Sequence, residues 1–111
     1  MADEGHLLKK IFALTTTILC RIMAWYTYIL ECSDKSFYVG ITNDPKLRLV
    51  EHNAGYGALW TSIRRPVKLV YAERHPDKSQ ARKREIEIKG WRREKKKNLF
   101  LSDRNILNHL K

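Results

Sequence analysis

"YTYILECSDKSFYVGITND", residues 26–44, holds two runs of β-branched and aromatic residues around a polar Ser-Asp-Lys-Ser turn. That pattern reads as a β-hairpin. Side chains alternate along a strand, so the loop length decides whether Tyr28 and Tyr38 share a face. Phe37, Val39 and Ile41 share one face of the second strand, and Trp25 and Ile29 share one face of the first. Pairing these apolar sets on a common core requires an odd loop. A three-residue loop, Ser33–Lys35, sets Tyr28 opposite Gly40 and Leu30 opposite Tyr38. Both phenols then lie on the second face as diagonal neighbours, beside a glycine where another group can come close. The ordinary reading of such a face is packing under a helix, so the phenols alone do not assign chemistry.

Working outward, strands are predicted over 25–32 and 36–42. Asp44 is placed to cap a helix with Pro45 at its first position, where the fixed φ and missing N–H of proline cost nothing. This helix should run to about Asn53 and end at Gly55. The stretch "YGALWTSIRRP", 56–66, reads as a loop, and "VKLVYAERH", 67–75, as a third strand. Ser79 is expected to cap a second helix through about Arg92, and "REKKKNLFL" to form a shorter third. The order is ββαβαα, an α+β fold with a small three-stranded antiparallel sheet flanked by helices. One domain is expected over 25–101, with a tail over 102–111. The extension 1–24 stands apart. Its "KKIFALTTTILCRIMA" loosely imitates a secretory leader, but Arg21 interrupts it, no cleavage site is convincing, and Met23 offers a second start. It is expected to be poorly packed and functionally minor.

The chain has 111 residues and is 43% hydrophobic, enough for one modest core. No apolar run reaches membrane-spanning length. Cys20 and Cys32 form no CxxC pair and are expected as free thiols of a reducing, cytoplasmic compartment. The net charge is +10, and residues 79–111, with 11 basic and 4 acidic side chains, carry +7 of it. A localised basic surface fits a polyanionic partner, most often nucleic acid, and also fits a merely solvated helix face.

In the first helix, Arg48 and His52 are four residues apart and share a face, with Leu47 and Val50 expected to supply much of the packing stripe. In the second, Ala81, Ile88 and Trp91 define an apolar stripe on which Glu85 lies. A carboxylate there is costly unless it is paired or binds a metal. Glu85 is thus half of a buried ion pair, with Arg48 as the expected partner, or a functional group.

Tyr28 in Thr27-Tyr28-Ile29, the Tyr38-Val39-Gly40 triplet, Arg48, His52 and Glu85 occur in an order and spacing that resembles the GIY-YIG nuclease domain. "EHNAGYGA" and "RRPVKLVY" lie between them, and the resemblance spans about Trp25 to Leu101. It looks closest to small standalone bacterial members related to the N-terminal nuclease domain of the UvrC repair protein. The resemblance implies a metal-dependent endonuclease acting on DNA with little sequence preference, in repair or recombination. It implies Tyr28 or Tyr38 as general base or water-orienter, Arg48 on the scissile phosphate, and His52 as a hydrogen-bonding assistant. It implies Glu85 as ligand of a single Mg²⁺ or Mn²⁺. Nucleic-acid contacts are expected from Arg64, Arg65, Arg82, Lys83, Arg84, Lys89, Arg92 and Arg93, without a membrane partner. Leu59 and Ser62 stand where members of the family often carry basic residues, and Thr27 replaces the glycine-isoleucine lead of the first motif. A non-catalytic binding module, or a nuclease subunit that takes its specificity from a protein partner, is the alternative.

Overall fold

The computed structural model describes residues 24–109; the extension, with Cys20 and Met23, lies outside the described residues. Strands β1 (Trp25–Glu31) and β2 (Phe37–Thr42) form the hairpin, and β3 (Lys68–His75) pairs with the other edge of β1, giving the antiparallel order β2-β1-β3. Tyr28 faces Gly40 and Leu30 faces Tyr38, the register of a three-residue loop. That loop closes through Cys32 N–H to Ser36 O at 2.8 Å and Lys35 N–H to Cys32 O at 2.9 Å. Lys35 takes the left-handed conformation, φ 71°, as the last residue of such a loop commonly does. Asp34 accepts from the Ser36 N–H at 3.0 Å.

Helix α1 (Pro45–Ala54) starts where Asp44 accepts from Leu47 N–H at 3.1 Å, and ends at Gly55, φ 92°, whose N–H returns to the last carbonyls. Its packing differs from the sequence expectation. Leu47 and Val50 are exposed, and α1 instead turns Leu49 and the buried His52 to the sheet. The cause is polar: His52 finds hydrogen-bond partners inward, and Asn53 clamps the strand entry, giving Nδ2–H to Val67 O at 3.1 Å and accepting from Val67 N–H at 2.8 Å.

The region 56–66 contains a one-turn helix, α2 (Leu59–Ser62), rather than loop throughout. Helix α3 (Lys78–Lys89) is capped by Asp77, not Ser79. Asp77 has the extended backbone of a cap and accepts from Gln80 N–H at 2.8 Å, which leaves Ser79 in the first turn. The helix stops at Gly90, short of Arg92. Helix α4 spans Arg93–Phe100, and a 3₁₀ turn spans Ile106–His109. The stretch after α4 is packed. Buried Asn105 bridges Val70 O and Phe100 O through Nδ2–H and accepts from Ala72 N–H.

Both faces of the sheet are covered. On one, Tyr28, Leu30, Cys32, Val67 and Ala72 pack with Tyr38, Leu49, Leu69 and Ile106. On the other, Ile29, Val39, Tyr71, Ile88 and Leu99 pack with Phe37, Val70, Trp91 and Phe100. Cys32 is a buried free thiol. Among the described residues, no helix is long and apolar enough to cross a membrane.

Candidate active site

The parity of the hairpin loop puts Tyr28 and Tyr38 under α1, and the cap at Asp44 fixes where α1 starts. Arg48 and His52 therefore arrive over the two phenols. Ring centroids lie 6.3 Å apart for Tyr28 and Tyr38, 5.9 Å for Tyr28 and His52, and 5.1 Å for Tyr38 and His52. Tyr28 Oη is 2.8 Å from His52 Nε2, and His52 Nδ1 is 2.7 Å from Thr61 Oγ1 on α2. Tyr28, His52 and Thr61 are fully buried, while Tyr38 and Arg48 are half-buried and border solvent.

Two glycines make the room. A Cβ on Gly40 would stand 2.6 Å from Tyr28 Oη, and one on Gly57 would stand 2.1 Å from His52 Nδ1. The group that approaches Gly40 closely is thus the Tyr28 ring itself.

Burial pushes the Tyr28 phenol up to about 12. Arg48 beside it pulls the other way, and the charges of Tyr38 and Glu85 add to the rise. The same contact with Tyr28 raises Arg48 further. Burial, then the Arg48 charge, pushes the His52 imidazole down to about 4. At neutral pH Tyr28 is therefore a protonated phenol and His52 a neutral imidazole.

Glu85 is buried on α3 with Ala81 and Ile88, as the apolar stripe predicted. Its ion partners differ from expectation. Arg82 Nη1 lies 2.6 Å from Oε1 and Lys89 Nζ 3.2 Å from Oε2, whereas Arg48 pairs loosely with Glu51 at 3.7 Å. The reason is local: Arg82 and Lys89 stand at i−3 and i+4 on the same helix, while Arg48 is committed to the Tyr28 side. Helix α3 covers the opposite face of the sheet, packing Ala81 and Ile88 against β1 and β2. From there Glu85 reaches Tyr28 through its field.

The basic candidates divide. Lys83, Arg92 and Arg93 are exposed, with Arg93 also stacked on Phe37. Arg82 and Lys89 are exposed and lean on Glu85. Arg84 is nearly buried and held by Glu73 and Glu87, each at 2.9 Å. Arg64 is tied to Asp34 at 3.2 Å and lies 3.3 Å over the Trp60 ring. Arg65 gives its N–H groups to Ser62 O and Asn53 O. The structure thus brings Tyr28, Tyr38, Arg48 and His52 together, adds Glu85 by charge, and ties Arg64, Arg65 and Arg84 to internal partners. Sequence reading missed Thr61, which acts from a helix turn inside what reads as loop, and Gly57, which sits in the loop just before that turn.

The model of the GIY-YIG catalytic domain matches residues 24–98. The chain belongs to the GIY-YIG family. It is 51% identical over 75 residues to the UPF0213 protein SSP2268 of Staphylococcus saprophyticus, covering 68% of this chain and 92% of that one. A UPF0213 protein of Staphylococcus aureus is 50% identical over the same share. The solution structure of protein EF2693 from E. faecalis is 36% identical, covering 79% of this chain and 88% of that chain with a TM-score of 0.49. A GIY-YIG domain places the chain in a nuclease superfamily, whose substrate is nucleic acid and whose members generally use a divalent metal.

Proposed function

We propose that this GIY-YIG protein is a metal-dependent endonuclease that hydrolyses phosphodiester bonds in DNA with little sequence preference. The observation that carries the reading is the buried Tyr28–His52 hydrogen bond with Arg48 beside it at the solvent edge. Tyr28 does not rest as a phenolate. It serves as base by accepting a proton from the attacking water as it passes its own to His52 Nε2, so the proton count balances within one relay. Arg48 binds the scissile phosphate and meets the charge that grows on it. That phosphate also offsets the repulsion between Arg48 and a protonated His52. Tyr38 orients the water from the open side.

No group of three or more His, Cys, Asp or Glu among the described residues could hold a metal ion; by the family resemblance Glu85 would be the protein ligand, with water and phosphate oxygens completing the shell. That donor set suits Mg²⁺ or Mn²⁺. Arg82 and Lys89, whose side chains are 61% and 50% exposed, can swing from Glu85 to a phosphate strand. A bound ion would supply Lewis-acid polarisation of the phosphate oxygens. Exposed Lys83, Arg92 and Arg93 extend the strand path, and such contacts position backbone without reading sequence. Tyr56 and Trp60 are exposed aromatics suited to stack on unpaired bases.

The test is cleavage of labelled linear, branched and single-stranded DNA and RNA with Mg²⁺, Mn²⁺ or EDTA, with Glu85→Ala in parallel. Metal-dependent cutting that vanishes in Glu85→Ala is expected. Binding that falls with salt and never leads to cutting, under every metal, would leave the protein a binding module. A second reading, a subunit that works with a protein partner, draws support from exposed Leu47, Val50, Leu59 and Ile63, apolar side chains that a partner would cover. Cutting that appears only on adding a cell extract would favour it.

A further inference from the structure

We propose that Thr61 is a positioning residue: its hydroxyl fixes the proton of His52 on Nδ1 and so makes Nε2 the proton acceptor of Tyr28. Thr61 Oγ1 lies 2.9 Å from Ala58 O. A carbonyl only accepts, so the single hydroxyl proton of Thr61 is spent on it. What Thr61 Oγ1 presents to His52 Nδ1, 2.7 Å away, is therefore a lone pair. Two lone pairs cannot meet at that distance in a buried site, so Nδ1 carries the hydrogen. In a neutral imidazole Nε2 is then bare, and at 2.8 Å the Tyr28 hydroxyl donates to it. The chain of bonds runs one way, from Tyr28 to His52 to Thr61 to Ala58.

The surroundings offer no substitute for Thr61. Gly57 closes over Nδ1 so tightly that even a Cβ would collide with it. Thr61 and His52 are 0% exposed, which leaves no open approach for solvent. Arg48, the cation that acts on His52, carries donors and no acceptor. Without the Thr61 oxygen, the Nδ1 hydrogen would be buried and unpaired, which favours the other tautomer. In that tautomer Nε2–H would point at Tyr28 Oη and close off the acceptor to which Tyr28 passes its proton. A side chain that never reaches substrate thereby decides the direction of the relay. The catalytic half of this inference rests on the nuclease reading; the tautomer itself does not.

The experiment uses the full chain with ¹⁵N-labelled imidazoles, observed by NMR at pH 7, beside cleavage kinetics on DNA. For the wild type, His52 should show a protonated Nδ1 and a bare Nε2. Thr61→Val, isosteric but without the acceptor, should lose that pattern and cut with a kcat about 10- to 100-fold lower at little changed KM. Thr61→Ser should restore both. A wild-type spectrum with the hydrogen on Nε2 overturns the proposal on its own, whether or not the variants fold. Wild-type cutting by Thr61→Val with an unchanged His52 pattern also overturns it. If the pattern moves as expected while no variant or wild type cuts any nucleic acid, Thr61 keeps its positioning role and the nuclease reading falls instead.

Discussion

Each face of the sheet buries a tyrosine bonded to a titratable neighbour, and the two neighbourhoods could hardly differ more. Tyr71 gives its hydroxyl to Glu73 at 2.8 Å. Glu73 is also held by Arg84 at 2.9 Å, His75 at 2.8 Å and, more loosely, Arg104 at 3.8 Å. Burial and Glu73 raise the Tyr71 pKa, and His75 Nε2, though close to Glu73, makes no aligned hydrogen bond with it. Tyr28 also has a buried partner, but its partner is a neutral base, and the cation beside it borders solvent. A saturated carboxylate hub holds a fold together and has no capacity left for a substrate. A phenol with a bare acceptor behind it and a half-open arginine in front has capacity to move a proton.

The sharpest way to break this comparison is to remove one hydroxyl from each side. Tyr28→Phe is expected to lower DNA cleavage by about 10²- to 10⁴-fold, and Tyr71→Phe to leave it near wild type. Each leaves a buried partner short of a hydrogen bond, costing about 1–3 kcal/mol in denaturant unfolding. Equal cleavage by both variants would erase the distinction. Next in size, Gly40→Ala puts a methyl 2.6 Å from Tyr28 Oη and should cost about 100-fold in cleavage by displacing the ring. The reading suffers if that variant cuts normally.

On the other face, Glu73→Gln strands Arg84 in a nearly buried position. A loss of roughly 3–5 kcal/mol in unfolding free energy is expected, with no loss of cleavage by the protein that remains folded. An unchanged midpoint in urea would show that the hub contributes little.

A further contrast is set by pH. The His52 pKa is depressed in the fold to about 4 from an ordinary value near 6.5. Its contribution to stability is thus fully present above about pH 6.5 and is lost as pH falls through about 4. Linkage puts that loss at roughly 3 kcal/mol. His52→Gln should flatten the slope of unfolding free energy over this window; a slope identical to wild type would assign the acid sensitivity to other groups. The smallest expected effect is on binding. Lys83→Ala should weaken DNA affinity modestly and reduce the salt slope by about one, whereas the internally paired Arg84 should affect folding more than the slope.

Much of this arrangement was legible as local rules. Hairpin parity followed from two alternating apolar sets, α1 from an Asp-Pro cap and a terminal glycine, and the buried Glu85 from its place between Ala81 and Ile88. What escaped depends on which face a helix turns inward. Leu47 and Val50 look like a stripe, but His52 and Asn53 gain more from the interior because they find polar partners there. Thr61 escaped because its role needs a helix turn inside a segment with few local helix signals. Arg82 and Lys89 were visible neighbours of Glu85, but sequence spacing does not say which cation reaches a carboxylate first.

The three residues Ser33–Lys35 carry a last consequence, for how this gene can change. Point substitution there costs local contacts, such as the Asp34–Arg64 pair, but leaves the pairing intact wherever the left-handed turn at Lys35 is respected. A change of length must be taken up inside the loop, because a slip of the pairing by one residue would reverse which side of the sheet every residue from Phe37 to Thr42 occupies. Tyr38 would leave His52, and Val39 would leave Ile29. Length changes that survive here should be those that keep Cys32 opposite Ser36, so a library of loop insertions sorted by function would retain the loops that can close on that pair.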